Sequence, residues 1–149
     1  MARPSKSSVK KIPVKILLVE DEPVLVGLYQ TMLRNGHYTV ATAMEEEDGM
    51  RKVTSERPAI VLLDLMIPSK IVRAADYNFH EPVGFEILKM IKTNPRTKHI
   101  KVIVLTNLDA DEHRQRAQKL GADDYVVKAQ VLPRDLAEKI ERVLAQSHL

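Results

Sequence analysis

The sequence predicts a doubly wound α/β domain with a five-stranded parallel sheet and five helices. Its length of 149 residues suits one domain. Short aliphatic segments alternate with segments of helical periodicity, which is the pattern of β-α-β units. The strongest short segments are apolar at every position, as strands buried on both faces are. Right-handed crossovers between such strands place helices on both faces of the sheet.

Five short segments are predicted to be strands. The first, third and fourth are continuous aliphatic runs, whereas the second and fifth are weaker candidates that begin with a tyrosine. In chain order, the predicted strands cover residues 16–19, 38–41, 59–63, 102–105 and 125–127.

The segments between the strands have the spacing of helices that bury one apolar face. In the first of them, Pro23 suits the opening turn and Gly36 suits the C-terminal cap. In chain order, the predicted helices cover residues 24–35, 45–55, 84–93 and 111–120, and the last begins near residue 133.

Composition excludes several classes of protein. The chain has no cysteine, so disulfides, thiolate metal sites and thiol catalysis are all excluded. It has no apolar run near the ~20 residues that span a bilayer, and its N-terminus lacks a signal-peptide pattern. We therefore expect a cytoplasmic protein without membrane insertion.

Basic residues are concentrated at the N-terminus. Residues 1–11 contain four of the 23 lysines and arginines and no acidic residue, and the remaining basic side chains nearly balance the 20 acidic ones. One interpretation is a nucleic-acid or membrane-surface arm, and the one we favour is a solubilising tail. We predict a basic disordered tail over residues 1–11 and a domain over residues 12–149, with no direct nucleic-acid binding.

One predicted connection is much longer than the others. Strand-to-helix loops usually need about 2–6 residues, whereas Gly84 follows Asp64 by 20 positions. We place an inserted loop around residues 69–83, and its apolar and charged residues argue against a simple flexible linker.

Polar side chains stand where the predicted strands end. Glu20 and Asp21 follow the first strand, Asp64 follows the third, Thr106 the fourth and Lys128 the fifth. Ligands of open α/β sheets bind beyond the carboxyl ends of the strands. We therefore expect these five side chains to converge at one edge of the sheet.

The expected cluster has a definite chemistry. Two carboxylates ~4 Å apart repel each other by about 4 kcal/mol at an effective dielectric of 20, so protons or a cation must relieve them. An oxygen-only set suits Mg²⁺. With the metal bound, one carboxylate can act as a nucleophile toward phosphorus, and Lys128 and Thr106 are placed to bind the other phosphoryl oxygens.

Four segments carry a family resemblance. They read ILLVEDEP at residues 16–23, LLDLMIP at 62–68, VIVLT at 102–106 and AQKLGADDYVVK at 117–128. Together and in this order, they resemble the receiver domains of response regulators in two-component signalling, over about residues 15–144. The resemblance implies a flavodoxin-like fold of strand order 2-1-3-4-5 and a receiver of the single-domain type.

The resemblance also implies catalytic and switching roles. Asp64 would be the side chain that is phosphorylated, and Lys128 would pair with the phosphoryl group. Thr106 would move toward that group, and Tyr125 would change rotamer in response.

The same resemblance implies a magnesium site. Asp21 would ligate Mg²⁺ directly, and Glu20 would do so mostly through water. Asp64 and the backbone carbonyl of Met66 would complete the protein ligands.

Each of these residues also has an ordinary structural interpretation. Asp21 suits the cap of the following helix, and Asp64 suits a turn at a strand end. Lys128 suits a solvated surface, while Thr106 and Tyr125 suit strands in any protein.

The sequence departs from the receiver pattern in three places. Many receivers have a cis proline after the lysine, whereas this chain has Ala129, for which we predict a trans peptide because a cis non-proline bond costs ~2.5–4 kcal/mol. The residue after the switch threonine is usually small, whereas Asn107 is positioned to crowd an approaching phosphodonor. Receivers usually place a glycine eight residues after the acceptor, so Gly84 indicates an insertion of twelve residues.

The function that the sequence favours is a stand-alone receiver, phosphorylated on Asp64 by a sensor histidine kinase or a phosphotransfer protein. It would signal to a separate output protein, with a possible homodimer through the fourth helix, fifth strand and fifth helix. It would catalyse its own phosphorylation and dephosphorylation, yet act mainly as a switch.

The alternative is a phosphorylation-independent adaptor of receiver shape. A flavodoxin-like cofactor protein is disfavoured because no phosphate-binding loop rich in Gly, Ser or Thr follows the first strand of this chain, and a phosphatase with an Asp-x-Asp motif is disfavoured because position 66 is Met.

Overall fold

A computed structural model describes residues 12–70 and 81–146. The predicted N-terminal tail and residues 71–80 of the predicted insertion lie outside the described residues. Within the described ranges, no helix is both long and apolar enough to cross a membrane.

Strands and helices alternate as the sequence predicts. The strands are β1 Lys15–Val19, β2 Thr39–Ala43, β3 Ile60–Leu63, β4 Lys101–Thr106 and β5 Asp124–Val127. The helices are α1 Pro23–Asn35, α2 Glu46–Glu56, α3 Gly84–Thr93, α4 Asp111–Lys119 and α5 Pro133–Ala145, and a 3-10 turn at Lys128–Gln130 precedes α5.

All five strands are parallel, in the order β2-β1-β3-β4-β5. The predicted fold class and strand order are therefore confirmed. The predicted boundaries shift by one or two residues, most at β2, which continues to Ala43 rather than ending at residue 41. Gly36 caps α1 as expected, but its φ is −82°, and the left-handed residue of this turn is His37 with φ 69°.

The sheet separates two apolar layers, because successive strand residues face opposite sides. In β1, for example, Leu17 and Val19 pack in the layer with α2, α3 and α4. Ile16 and Leu18 pack in the layer with α1 and α5. This arrangement explains why β1, β3 and β4 are aliphatic at nearly every position.

Candidate functional site

The sheet register brings the predicted polar residues to one edge. Val19 pairs with Leu63, and Thr106 pairs with Val127. The ladder continues one residue further, since the Glu20 N–H donates to the Ala43 carbonyl and the Asp64 N–H donates to the Val19 carbonyl. The residues that end neighbouring strands thus lie side by side.

At the centre of this edge, the Lys128 ammonium bridges two carboxylates. Its Nζ donates to Glu20 Oε1 at 2.5 Å and to Asp64 Oδ2 at 2.7 Å. Glu20 is 2% exposed and Asp64 is 5% exposed. The interpretation of Lys128 as a solvated surface lysine is therefore wrong, because its side chain is only 9% exposed.

Burial and ion pairing act against each other in this cluster. Burial raises the pKa of Glu20. The Lys128 ammonium partly offsets this increase, and the charge of Asp64 adds to it. Burial alone would lower the pKa of Lys128, but its hydrogen bonds to Asp64 and Glu20 outweigh that effect and raise the pKa. Lys128 therefore stays cationic, as a group that pairs with an anion must.

Asp21 completes an acidic trio with Glu20 and Asp64. Each contributes an oxygen, and the three oxygens lie within 4.8 Å of one another. Asp21 is exposed, and its backbone N–H donates to Glu20 Oε2 at 3.0 Å. The alternative that Asp21 caps α1 is not supported, because Glu22 is the N-cap and no side-chain capping bond is present.

This donor set fits a hard divalent cation. It offers oxygen atoms alone, two buried and one open to water, which matches the preference of Mg²⁺ for carboxylates together with retained waters. Met66, the fourth predicted ligand residue, lies against the acceptor, since its backbone N–H donates to Asp64 Oδ1 at 3.0 Å. Met66 as a whole is 57% exposed.

The two predicted switch residues flank the β4–α4 loop, with Thr106 at the end of β4 and Tyr125 in β5. Thr106 is fully buried, and among the described residues its hydroxyl contacts only its own loop, where it accepts from the Leu108 N–H at 3.4 Å. The Tyr125 hydroxyl donates to the Leu108 carbonyl at 2.6 Å. The Arg114 guanidinium lies 4.9 Å from the centre of the Tyr125 ring. The structure thus links Thr106 to Tyr125 through one loop residue.

The two substituted positions of the receiver pattern contact each other. The Ala129 N–H donates to Asn107 Oδ1 at 3.0 Å. No cis peptide bond occurs among the described residues, so the trans prediction at Ala129 is confirmed. Sequence reasoning marked both positions but missed their contact, which a proline could not make because it lacks an N–H.

The described ends of the insertion are attached to α2 and α4. Ser69 Oγ donates to Glu46 Oε1 at 2.6 Å, and the Lys70 N–H donates to a Glu47 carboxylate oxygen. At the other end, Arg116 Nε donates to Glu81 Oε1 at 2.5 Å. Sequence reasoning did not predict these contacts, and the run of acidic residues that opens α2 was the available signal.

The loop that contains the acceptor also packs closely on α3. A Cβ at Gly84 would come within 2.5 Å of both the Asp64 carbonyl oxygen and the Leu65 Cα. The Gly84 N–H donates to the Leu65 carbonyl at 2.9 Å. A glycine at the start of α3 is therefore a packing requirement of the acceptor loop.

Comparison with known proteins agrees with this arrangement. The protein-family model of the response regulator receiver domain matches residues 16–141 of the sequence. The chain belongs to the response regulator receiver family. Phosphorylation of an aspartate is general in this family, and its members bind magnesium in their acidic site and interact with histidine kinases or phosphotransfer partners.

Several curated proteins are similar to this receiver. It is 34% identical over 133 residues to the transcriptional regulatory protein AfsQ1 of Streptomyces coelicolor, covering 89% of this chain and 52% of that protein. It is 29% identical over 135 residues to the alkaline phosphatase synthesis transcriptional regulatory protein PhoP of Bacillus subtilis, covering 91% of this chain and 50% of that protein. The receiver thus spans about half the length of these relatives.

Solved structures share the fold. A CheY-like receiver domain protein from Methanospirillum hungatei is 26% identical with a TM-score of 0.77, over 91% of this chain and 97% of that chain. The receiver domain of the sensor histidine kinase PA1611 from Pseudomonas aeruginosa is 22% identical with a TM-score of 0.73, over 91% and 100%. The latter was solved with a magnesium ion coordinated in its active-site cleft.

Proposed function

We propose that this receiver accepts a phosphoryl group on Asp64 from a sensor histidine kinase or a phosphotransfer protein, in a magnesium-dependent reaction. The observation that carries the proposal is the Lys128 ammonium, which contacts Glu20 and Asp64 at one buried edge with Asp21 alongside. Burying three charged groups together costs desolvation free energy, which supports a functional and not merely a structural role for this cluster.

The chemistry follows from these groups. An oxygen of Asp64 attacks phosphorus, the bond between phosphorus and the donor histidine nitrogen breaks, and the imidazole leaves with that electron pair. Glu20, Asp21, Asp64 and the Met66 carbonyl are the proposed residues that bind Mg²⁺. When bound, Mg²⁺ neutralises charge on the carboxylates and on the phosphoryl oxygens.

Lys128 and Thr106 have complementary proposed tasks. The Lys128 ammonium exchanges one carboxylate contact for a phosphoryl oxygen, and so keeps an ionic partner throughout. Thr106 leaves the Leu108 N–H and donates its hydroxyl proton to another phosphoryl oxygen. Because the Tyr125 hydroxyl donates a hydrogen bond to the Leu108 carbonyl, movement of the β4–α4 loop changes the environment of Tyr125.

The proposed output is a change of contacts on the surface formed by α4, β5 and α5, which would bind a separate output protein or a second copy of the chain. Arg114 stacks on Tyr125 at this surface, so a rotamer change of Tyr125 alters its charge pattern. The insertion, attached to α2 and α4 at its described ends, is proposed to contribute to the choice of partner. We also propose a cytoplasmic location and a receiver that covers residues 12–149.

The test is intact-mass analysis after incubation with acetyl phosphate and Mg²⁺. We expect the mass of one added phosphoryl group, its loss in Asp64→Asn, and its loss when the metal is chelated. Asp111→Asn, an exposed carboxylate at the start of α4, is the matched control and should be labelled normally. Undiminished labelling of Asp64→Asn would refute the acceptor assignment, and an unlabelled native protein would favour the adaptor function instead.

A further inference from the structure

The last residue of β4, Thr106, and the two residues that follow it, Asn107 and Leu108, each take part in a hydrogen bond beyond the strand ladder. Thr106 accepts from the Leu108 N–H, and the Leu108 carbonyl accepts from the Tyr125 hydroxyl. Between them, Asn107 accepts from the Ala129 N–H. The loop after β4 is therefore attached to β5 at Tyr125 and to the turn beyond β5 at Ala129.

The Asn107 contact satisfies a donor that the local backbone leaves unpaired. Ala129 lies in the 3-10 turn Lys128–Gln130, and the first N–H groups of such a turn have no partner within it. The side-chain oxygen of Asn107 accepts this proton at 3.0 Å. The contact thus fixes the turn that begins with Lys128.

The position of this hydrogen bond relates it to phosphoryl transfer. Asn107 is covalently next to Thr106, and Ala129 is covalently next to Lys128. The bond therefore joins the backbone neighbours of the hydroxyl and the ammonium that the proposed reaction uses. Asn107 and Ala129 also line, together with Lys128, a cavity of about 260 Å³ between α1 and α5.

We propose that Asn107 is a positioning residue, which keeps the Lys128 turn and the Thr106 loop at the separation that phosphoryl transfer requires. This inference rests on the proposed function of Asp64. Lys128 and Thr106 must reach different oxygens of one phosphoryl group, so their relative position matters more than that of either alone. The Asn107 side chain is engaged with Ala129, which argues that its main effect is support and not obstruction of the phosphodonor.

The hydrogen bond lies at the surface, so its contribution to global stability is small. Asn107 is exposed, and the buried layers of the fold do not include it. We therefore expect its removal to lower the maximal rate of phosphorylation by about threefold to tenfold, the range for one hydrogen bond. The acetyl phosphate concentration at half-maximal rate and the thermal midpoint should change little.

The experiment compares Asn107→Leu, which keeps the side-chain size without an acceptor, with Asn107→Ala, which removes both. Asn94→Leu is the matched control. Asn94 Oδ1 also accepts a backbone hydrogen bond, from the Arg96 N–H at 2.9 Å, but it lies in the loop between α3 and the start of β4. Phosphorylation rates with acetyl phosphate and Mg²⁺ are measured by intact mass, and exchange of the Ala129 amide proton is measured by NMR.

The expected result is a similar loss of rate in both Asn107 variants, faster exchange at Ala129, and a normal rate in Asn94→Leu. A faster reaction in Asn107→Ala with no loss in Asn107→Leu would show crowding of the phosphodonor and overturn the inference. Native rates in both variants would also overturn it while leaving the proposed function intact. An unlabelled native protein would remove the proposed function, and the inference with it.

Discussion

The two loops that flank the acceptor edge are attached by different kinds of contact. The described parts of the β3–α3 loop are bound through carboxylates: the Ser69 hydroxyl and the Lys70 N–H donate to glutamates of α2, and Arg116 of α4 pairs with Glu81. The β4–α4 loop is bound to β5 and the following turn through uncharged groups, which are the Asn107 amide and the Tyr125 hydroxyl.

This difference teaches how two loops beside one site can be held by contacts of different strength. The ion pair between Arg116 and Glu81 lies at the surface, and such pairs are weak and sensitive to salt but tolerate variable geometry. Single hydrogen bonds to backbone groups require a fixed geometry and contribute about 1 kcal/mol each. Such bonds hold a short loop in one defined position.

The largest expected effect is at Gly84, where the described part of the β3–α3 loop packs closely against the start of α3. Gly84→Ala should lower the free energy of unfolding by about 1–3 kcal/mol, because the new methyl group would overlap the Asp64 carbonyl oxygen and the Leu65 Cα. It should also reduce phosphorylation by displacing the acceptor. Urea unfolding and acetyl phosphate labelling measure the two effects.

Gly27→Ala in α1 is the matched control for this substitution. A Cβ at Gly27 has no neighbour within 4 Å, so alanine should stabilise that helix by about 0.5–1 kcal/mol. Equal effects at the two glycines would show that helix propensity, and not contact with the acceptor loop, explains Gly84.

The next effect concerns the uncharged contacts of the β4–α4 loop. Tyr125→Phe removes the hydroxyl that donates to the Leu108 carbonyl and should lower the free energy of unfolding by about 1 kcal/mol. Tyr38→Phe is the control, since its hydroxyl has no hydrogen bond to the rest of the described chain, and should change stability by less than about 0.5 kcal/mol. The same loss in both variants would contradict the assigned role of the Tyr125 contact.

The same side chain predicts a dependence on alkaline pH. Burial raises the pKa of Tyr125 above 10.0, the Asp109 and Asp64 charges add to this, and Arg114 opposes it. The unfolded chain therefore ionises first, and stability from this group falls as the pH rises above about 10. The difference in ultraviolet absorbance between the native protein and Tyr125→Phe reports the ionisation of the Tyr125 hydroxyl. Its midpoint should lie above pH 10.0, and a midpoint at or below that value would refute the prediction.

The smallest effect is expected at the charged contact of the β3–α3 loop with α4. The hydrogen bond from Arg116 to Glu81 raises the pKa of Arg116, but the Arg116 side chain is 45% exposed. Arg116→Gln should therefore lower the free energy of unfolding by less than about 1 kcal/mol, and less at high salt. Arg142→Gln, an exposed arginine of α5 without an ion pair to the described residues, should have no such salt-dependent effect. A loss independent of salt in Arg116→Gln would mean that the contact acts through packing.

The sequence anticipated much of the candidate site because strand ends can be read locally. Glu20, Asp64 and Lys128 each follow an apolar run, and parallel pairing brings the ends of such runs together. The contact between Asn107 and Ala129 could not be read in this way. It depends on which way a side chain turns after its strand has ended, and periodicity contains no information about that.

The sequence by itself determined the alternation of strands and helices, the two buried layers and the edge at which polar groups gather. These follow from local apolar periodicity and from the rules for parallel sheets. Only the tertiary structure decided that Lys128 contacts both Glu20 and Asp64, that Asn107 binds the turn beyond Lys128, and that the insertion is attached to α2 and α4. Each of these contacts joins residues far apart in the chain, so it depends on sheet register and loop path, which no single segment of sequence specifies.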